Sequence, residues 1–171
     1  MAQIQYTFKK NDEYYTPSYA VLPLISYLKE GATVWCPFDT EESEYVKVFT
    51  AHGFNVLHTH ICNGEDFFSI EVPKCDYIIS NPPYSLKTQV FKRLFDIGKP
   101  FAMLVNLQGL FDHRERFELF KSNPVELMYL SPRVNYYTTD NKQKTSGVPF
   151  QSGYVCSRLL PQSLTFKYLS K

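Results

Sequence analysis

With 171 residues, 44% of them hydrophobic and 16% aromatic, the chain has the length and apolar content of one globular domain with a packed core. Its 18 basic and 17 acidic side chains leave a net charge of +1, which excludes bulk attraction to nucleic acid and leaves such binding to local clusters. Four cysteines without short paired spacing, and four histidines in no ligand motif, argue against disulfide or metal frameworks, and a cytoplasmic chain without signal peptide or bilayer span is expected.

Apolar runs and helical periods alternate along the chain. Ser18 can cap a helix running to about Glu30, with Pro23 near its start and Gly31 at its end. A buried strand over residues 33–36 follows. Asp39 or Thr40 can cap a helix to Ala51, and Gly53 closes it before a strand at 55–60. The next strand, 76–80, leads through Asn81-Pro82-Pro83-Tyr84 into a helix over 86–97, which places Val90, Phe91, Leu94 and Phe95 on one face and stops at Gly98. Residues 101–106 form another apolar strand, and Asp112 opens a helix to about Phe120. Beyond Val125, strand-like pieces at 125–130, 133–138, 152–157 and 164–168 are separated by turns.

This alternation predicts an α/β, Rossmann-like fold, with a mostly parallel central sheet, helices on both faces and antiparallel strands at the C-terminal edge. One domain is expected, without a separate module for target recognition. In such sheets ligands collect outside the carboxyl ends of the strands, near the point where strand order reverses. Pro37, Phe38 and Asp39 stand at the first of these ends, His60 at the second and Asn81 to Tyr84 at the third, with Asp66 and Phe67 in the connection between the last two.

Asn81-Pro82-Pro83-Tyr84 carries the most chemistry. The two prolines remove two N–H donors and fix φ near about −65°. That leaves the Asn81 side-chain oxygen and the Pro82 carbonyl as acceptors for the two hydrogens of a planar amino group, with an aromatic ring beside it to stack. Basic candidates for nucleic-acid contact are Lys87, Lys92 and Arg93, then Arg114 and Arg116, and finally Lys142 and Lys144 in the polar loop 138–148.

The order of these segments resembles the S-adenosylmethionine-dependent, adenine-N6 DNA methyltransferases of phages and restriction-modification systems, the EcoRI methylase-like family in particular. The resemblance spans roughly residues 12–169. It implies a methyltransferase fold and S-adenosylmethionine as cofactor. Tyr14-Tyr15-Thr16-Pro17 is similar to the segment that covers the cofactor's methionine end, Pro37-Phe38-Asp39 to the cofactor-binding turn, with Asp39 facing the ammonium, His60 to the ribose partner, and Asp66-Phe67 to the pair at the cofactor adenine. Asn81, Pro82, Pro83 and Tyr84 then form the catalytic motif, in which Tyr84 stacks on a flipped adenine. Lys87, Lys142 and Lys144 are the expected substrate contacts. A chain of this size is expected to recognise short sites, or to work with a specificity partner or as a homodimer. Adenine in RNA, a glutamine amide on protein, and a non-catalytic protein that binds nucleic acid or a partner stay open beside DNA.

Overall fold

In this computed structural model, which describes residues 14–137 and 148–171, the first helix is cut short by its own sequence. Helix α1 spans only Ser18–Val21, and the chain continues as a 3₁₀ turn, Leu22–Tyr27, because Pro23 brings no N–H to an α-helical ladder. The single helix expected to reach residue 30 is therefore two short pieces. Strand β1, Thr33–Cys36, follows. Helix α2, Glu44–Ala51, begins later than expected because Ser43 is its cap, accepting the Tyr45 N–H at 3.2 Å. Asp39 and Thr40 do not serve that role.

Strand β2 is Asn55–His58, two residues shorter than expected, and β3 is Tyr77–Ser80. Helix α3, Lys87–Ile97, ends at Gly98, whose φ of 73° is the left-handed conformation that glycine adopts without strain. Strand β4, Phe101–Asn106, leads to α4, Arg114–Lys121. The last three strands are β5, Glu126–Ser131, β6, Ser152–Ser157, and β7, Leu164–Tyr168. Residues 133–138 were expected to supply one more. Instead Val134 and Tyr136 are buried as core, and Tyr137 makes an isolated bridge with Tyr15.

The seven strands form one sheet in the order β2-β1-β3-β4-β6-β5-β7. Neighbours from β2 to β4 run parallel, β6 is antiparallel to both β4 and β5, and β7 lies parallel to β5 at the edge. This is the α/β, Rossmann-like architecture expected from the sequence, a mostly parallel sheet with antiparallel pairing toward the C-terminal edge. Side chains alternate across the sheet: Val34, Cys36, Ile79 and Leu104 pack toward α1 and α2, whereas Trp35, Ile78, Met103 and Val105 pack toward α3 and the connection holding Phe67. Each such burial contributes roughly 1.5–3 kcal/mol, so both faces hold the sheet rigid behind its strand ends. Among the described residues no helix is long and apolar enough to cross a membrane.

Candidate active site

The chain leaves β1 for β2 on one side and returns to β3 on the other, so strand order reverses between β1 and β3. Their carboxyl ends border the crevice where open α/β sheets hold ligands. Asp39 follows β1 and Asn81 follows β3. The Ser80 hydroxyl donates to Asp39 Oδ2 between them, and the Ser43 hydroxyl donates to Oδ1 at 2.5 Å. Asp39 therefore turns inward, 8% exposed, rather than toward an open ammonium site.

Burial pushes the Asp39 carboxyl up from 3.8 to about 6, against the lowering effect of the Ser43 and Ser80 hydrogen bonds and of nearby His58. A folded-state pKa above the unfolded one means that the fold holds a proton the unfolded chain releases first. The resulting stability is complete below about pH 4 and is lost as pH rises through about 6, a change on the order of 3 kcal/mol at about 1.4 kcal/mol per unit. Asp39→Asn is neutral throughout and is expected to flatten that slope, which urea unfolding at a series of pH values would measure. An unchanged slope would assign it to another group.

The histidine at the end of β2 is His58, and its Nδ1 is buried without a partner among the described residues. The sequence reading placed His60 there because it extended the strand by two residues. His60 instead caps the turn Ile61–Asn63: its Nδ1 accepts the Cys62 N–H at 3.1 Å and lies 2.8 Å from Cys62 Sγ. Asp66 is engaged in the same local way, with Oδ1 accepting the Phe68 N–H at 3.0 Å. Phe67 is core, 2% exposed, with ring centroids 4.9 Å from Phe38 and 5.7 Å from Trp35. Phe38 is the ring of this group that stays half-buried at the rim, and Pro37 beside it is buried.

At the third strand end the Asn81 amide is held in one orientation. Its Nδ2 donates to the Tyr14 carbonyl at 3.0 Å and to Thr16 Oγ1 at 3.2 Å, while Oδ1 is buried with no partner among the described residues. A buried acceptor left unpaired costs about 1–3 kcal/mol. Thr16 and Pro17 are both buried and Tyr15 is exposed, so the segment expected to cover a cofactor leans on Asn81. Pro82 is buried and Pro83 half-buried.

One face of the Tyr84 ring is taken within the protein. Its ring stacks on Tyr14 at 5.6 Å and 25°, and Phe150 meets it edge-on at 5.6 Å. Tyr136 completes the cluster, 5.4 Å from Tyr14, with its hydroxyl donating to Ser152 Oγ at 2.7 Å. The Tyr84 hydroxyl is buried outside good hydrogen-bond geometry, and its pKa is raised, by burial first and then by Tyr136. Tyr14 thus occupies the place that the sequence reading gave to an adenine. Neither Tyr14 nor Tyr136 announces this in the sequence, since they stand 70 and 52 residues from Tyr84.

Lys87 opens α3 half-buried, and burial lowers its pKa, helped by Arg116. Lys142 and Lys144 lie outside the described residues. Two of the basic candidates are internal braces rather than a surface patch. Arg116 is 8% exposed and donates to the Leu110 carbonyl at 2.5 Å, the Gly109 carbonyl at 2.8 Å and Thr88 Oγ1 at 2.9 Å. Arg93 donates to the Phe68 carbonyl at 3.1 Å and the Ile70 carbonyl at 2.7 Å.

No protein-family model and no curated protein sequence matches the chain. Solved structures match it at low identity. A protein assigned as the modification subunit of a type I restriction enzyme from Vibrio vulnificus YJ016 is 13% identical with a TM-score of 0.49, over 91% of this chain and 46% of that one. The chain therefore spans about half the length of that subunit. A precorrin-6y C5,15-methyltransferase from Geobacter metallireducens GS-15 is 12% identical with a TM-score of 0.44, over 87% of this chain and 96% of that one.

Proposed function

We propose that the chain transfers a methyl group from S-adenosylmethionine to the exocyclic N6 of adenine in DNA. The observation that carries this reading is Asn81 Oδ1, a buried acceptor without a partner among the described residues, fixed at the topological switch point by the two hydrogen bonds that its own amide nitrogen donates. An acceptor so placed lacks one thing, a donor. One hydrogen of an N6 amino group satisfies Oδ1, and the Pro82 carbonyl is assigned the second. Together they draw the nitrogen lone pair out of the ring plane and stabilise the positive charge that develops there.

The neighbouring residues fit the cofactor at its nucleoside end. His58, with its unpartnered Nδ1 at the end of β2, would hold a ribose hydroxyl, and the half-buried Phe38 ring would take the purine face. Asp39, His60 and Asp66 brace the turns behind them through the bonds described above, and Pro37 and Phe67 pack as their wall. When bound, the cofactor supplies a methyl already activated on a sulfonium, so the protein's share is alignment, worth about 7–11 kcal/mol in the best intramolecular cases. A flipped adenine takes the face of Tyr84 only when the Tyr14 ring moves aside.

A second reading is favoured by that same stacking and by the inward Asp39: a non-catalytic protein of methyltransferase fold that binds nucleic acid or a partner. Transfer of labelled methyl onto DNA, RNA and protein in parallel, with calorimetry of S-adenosylmethionine binding, separates the two. Label is expected on adenine N6 of DNA. Label confined to RNA or protein reassigns the substrate, and absence of both label and binding heat leaves the second reading standing.

A further inference from the structure

β7 is the outermost strand of the sheet on its side, and its side chains alternate between two surroundings. Lys167 turns toward the face covered by the segment Leu22–Tyr27, its ammonium 5.0 Å from the Tyr27 ring centre. No described element covers the opposite face. There Leu164, Phe166 and Tyr168 are 46%, 71% and 89% exposed, in register with Leu127, Tyr129 and Ser131 of β5. Tyr129 is 38% exposed and its ring centroid lies 6.1 Å from that of Phe166. On the α4 side Phe117, 49% exposed, and Phe111, 53% exposed, extend the same surface along a groove that Leu127 and Ser163 also line.

At roughly 150–250 Å² per aromatic side chain, these exposed fractions present on the order of 700 Å² of apolar surface. Patches on monomeric proteins rarely exceed about 300–600 Å², and each partner in a standard interface contributes about 800 Å². We propose that this face is the surface on which a second copy of the chain docks.

The distribution of charge selects that occupant. Two-fold pairing sets a surface against itself, so it accepts apolar residues and rejects unpaired like charges. The charged side chains of the two strands are turned away or engaged: Lys167 lies over Tyr27, and Glu126 accepts the N–H groups of Leu159 and Leu160 at 3.0 and 2.8 Å. At the rim Lys121 and Glu118 face one another at 3.8 Å. Nucleic acid or an anionic membrane would call for a basic face, which this is not. Three strands, β4, β6 and β5, separate β7 from β3, so pairing here leaves the crevice at Asn81 uncovered. The proposal is independent of the reaction assigned to that crevice.

The test is the mass of the full chain in solution, by sedimentation equilibrium from about 1 to 100 μM, without nucleic acid or cofactor. Wild type is expected to approach about 40 kDa, twice the 20.0 kDa of one chain. Phe166→Glu sets two carboxylates into the pairing face and is expected to weaken dimerisation by about 10²-fold or more, and Tyr168→Glu to act in the same direction. Both side chains are already exposed, so circular dichroism should match wild type, and melting should match it at concentrations where both are monomers, diverging only where wild type pairs. A wild-type mass of 20.0 kDa across the range overturns the proposal. So does a Phe166→Glu dimer as tight as the parent, or open-ended growth beyond two copies.

Discussion

Replacing Asn81 with alanine is expected to lower methyl transfer to adenine by about 10²-fold or more, with little change in stability. Asn81 is half-buried, and among the described residues its side chain hydrogen-bonds through Nδ2, to the Tyr14 carbonyl and Thr16 Oγ1. Its loss forfeits those two hydrogen bonds but also removes a buried oxygen whose demand is unmet, so the two effects on the fold partly cancel, while the acceptor proposed to meet the substrate is gone. The loss belongs in kcat, since the charge that Oδ1 meets develops during attack. Thr16→Ser keeps the oxygen that orients the amide and serves as the matched control, retaining activity. Single-turnover methyl transfer measures all of this, and an Asn81→Ala rate equal to wild type would remove the amide from the mechanism.

Trp35→Ala is expected to destabilise the protein by about 3–5 kcal/mol, against the roughly 5–15 kcal/mol that holds a domain folded. The indole is fully buried in β1, packs on Phe67, and donates from Nε1 to Thr59 Oγ1 at 3.0 Å. Its removal opens a cavity beneath the connection after β2 and takes from the Thr59 hydroxyl the indole N–H that it accepts, leaving that hydroxyl its long bond to the Pro37 carbonyl at 3.5 Å. Trp35→Phe keeps most of the volume and forfeits the hydrogen bond, at about 1 kcal/mol plus the residual void. Trp35 is the one tryptophan of the chain, so urea unfolding should be followed by circular dichroism rather than indole fluorescence. Equal midpoints for wild type and the alanine variant would contradict this packing.

Strands were the part of the fold most legible in the sequence, because a short apolar run bounded by turn residues has few alternatives. β1, β4, β6 and β7 begin and end where the apolar pattern does. Helix starts were less legible. Asp39, Thr40 and Ser43 are all competent caps by type for α2, and Ser43 acts because Asp39 is drawn inward by Ser80, whereas at α1 the cap position is Pro17 rather than Ser18. Residues 133–136 show strand-like composition, yet their large side chains complete a core instead of a ladder, which local pattern does not distinguish. In the site, the tetrapeptide at the end of β3 was readable because proline and asparagine constrain the backbone locally. The aromatic cluster around Tyr84 was not, since Tyr14, Tyr136 and Phe150 meet only once the sheet has closed.

The connection from residue 59 to 76 carries little regular structure, yet Arg93 laces it to α3, holding the Phe68 and Ile70 carbonyls with its guanidinium 5.4 Å from the Phe67 ring centre. Helix α3 is the same helix that the Asn81 turn runs into. One helix is therefore shared by two walls of the crevice, tied to the connection by the Arg93 guanidinium and by the core that Phe67 forms with Val90, Phe91 and Leu94.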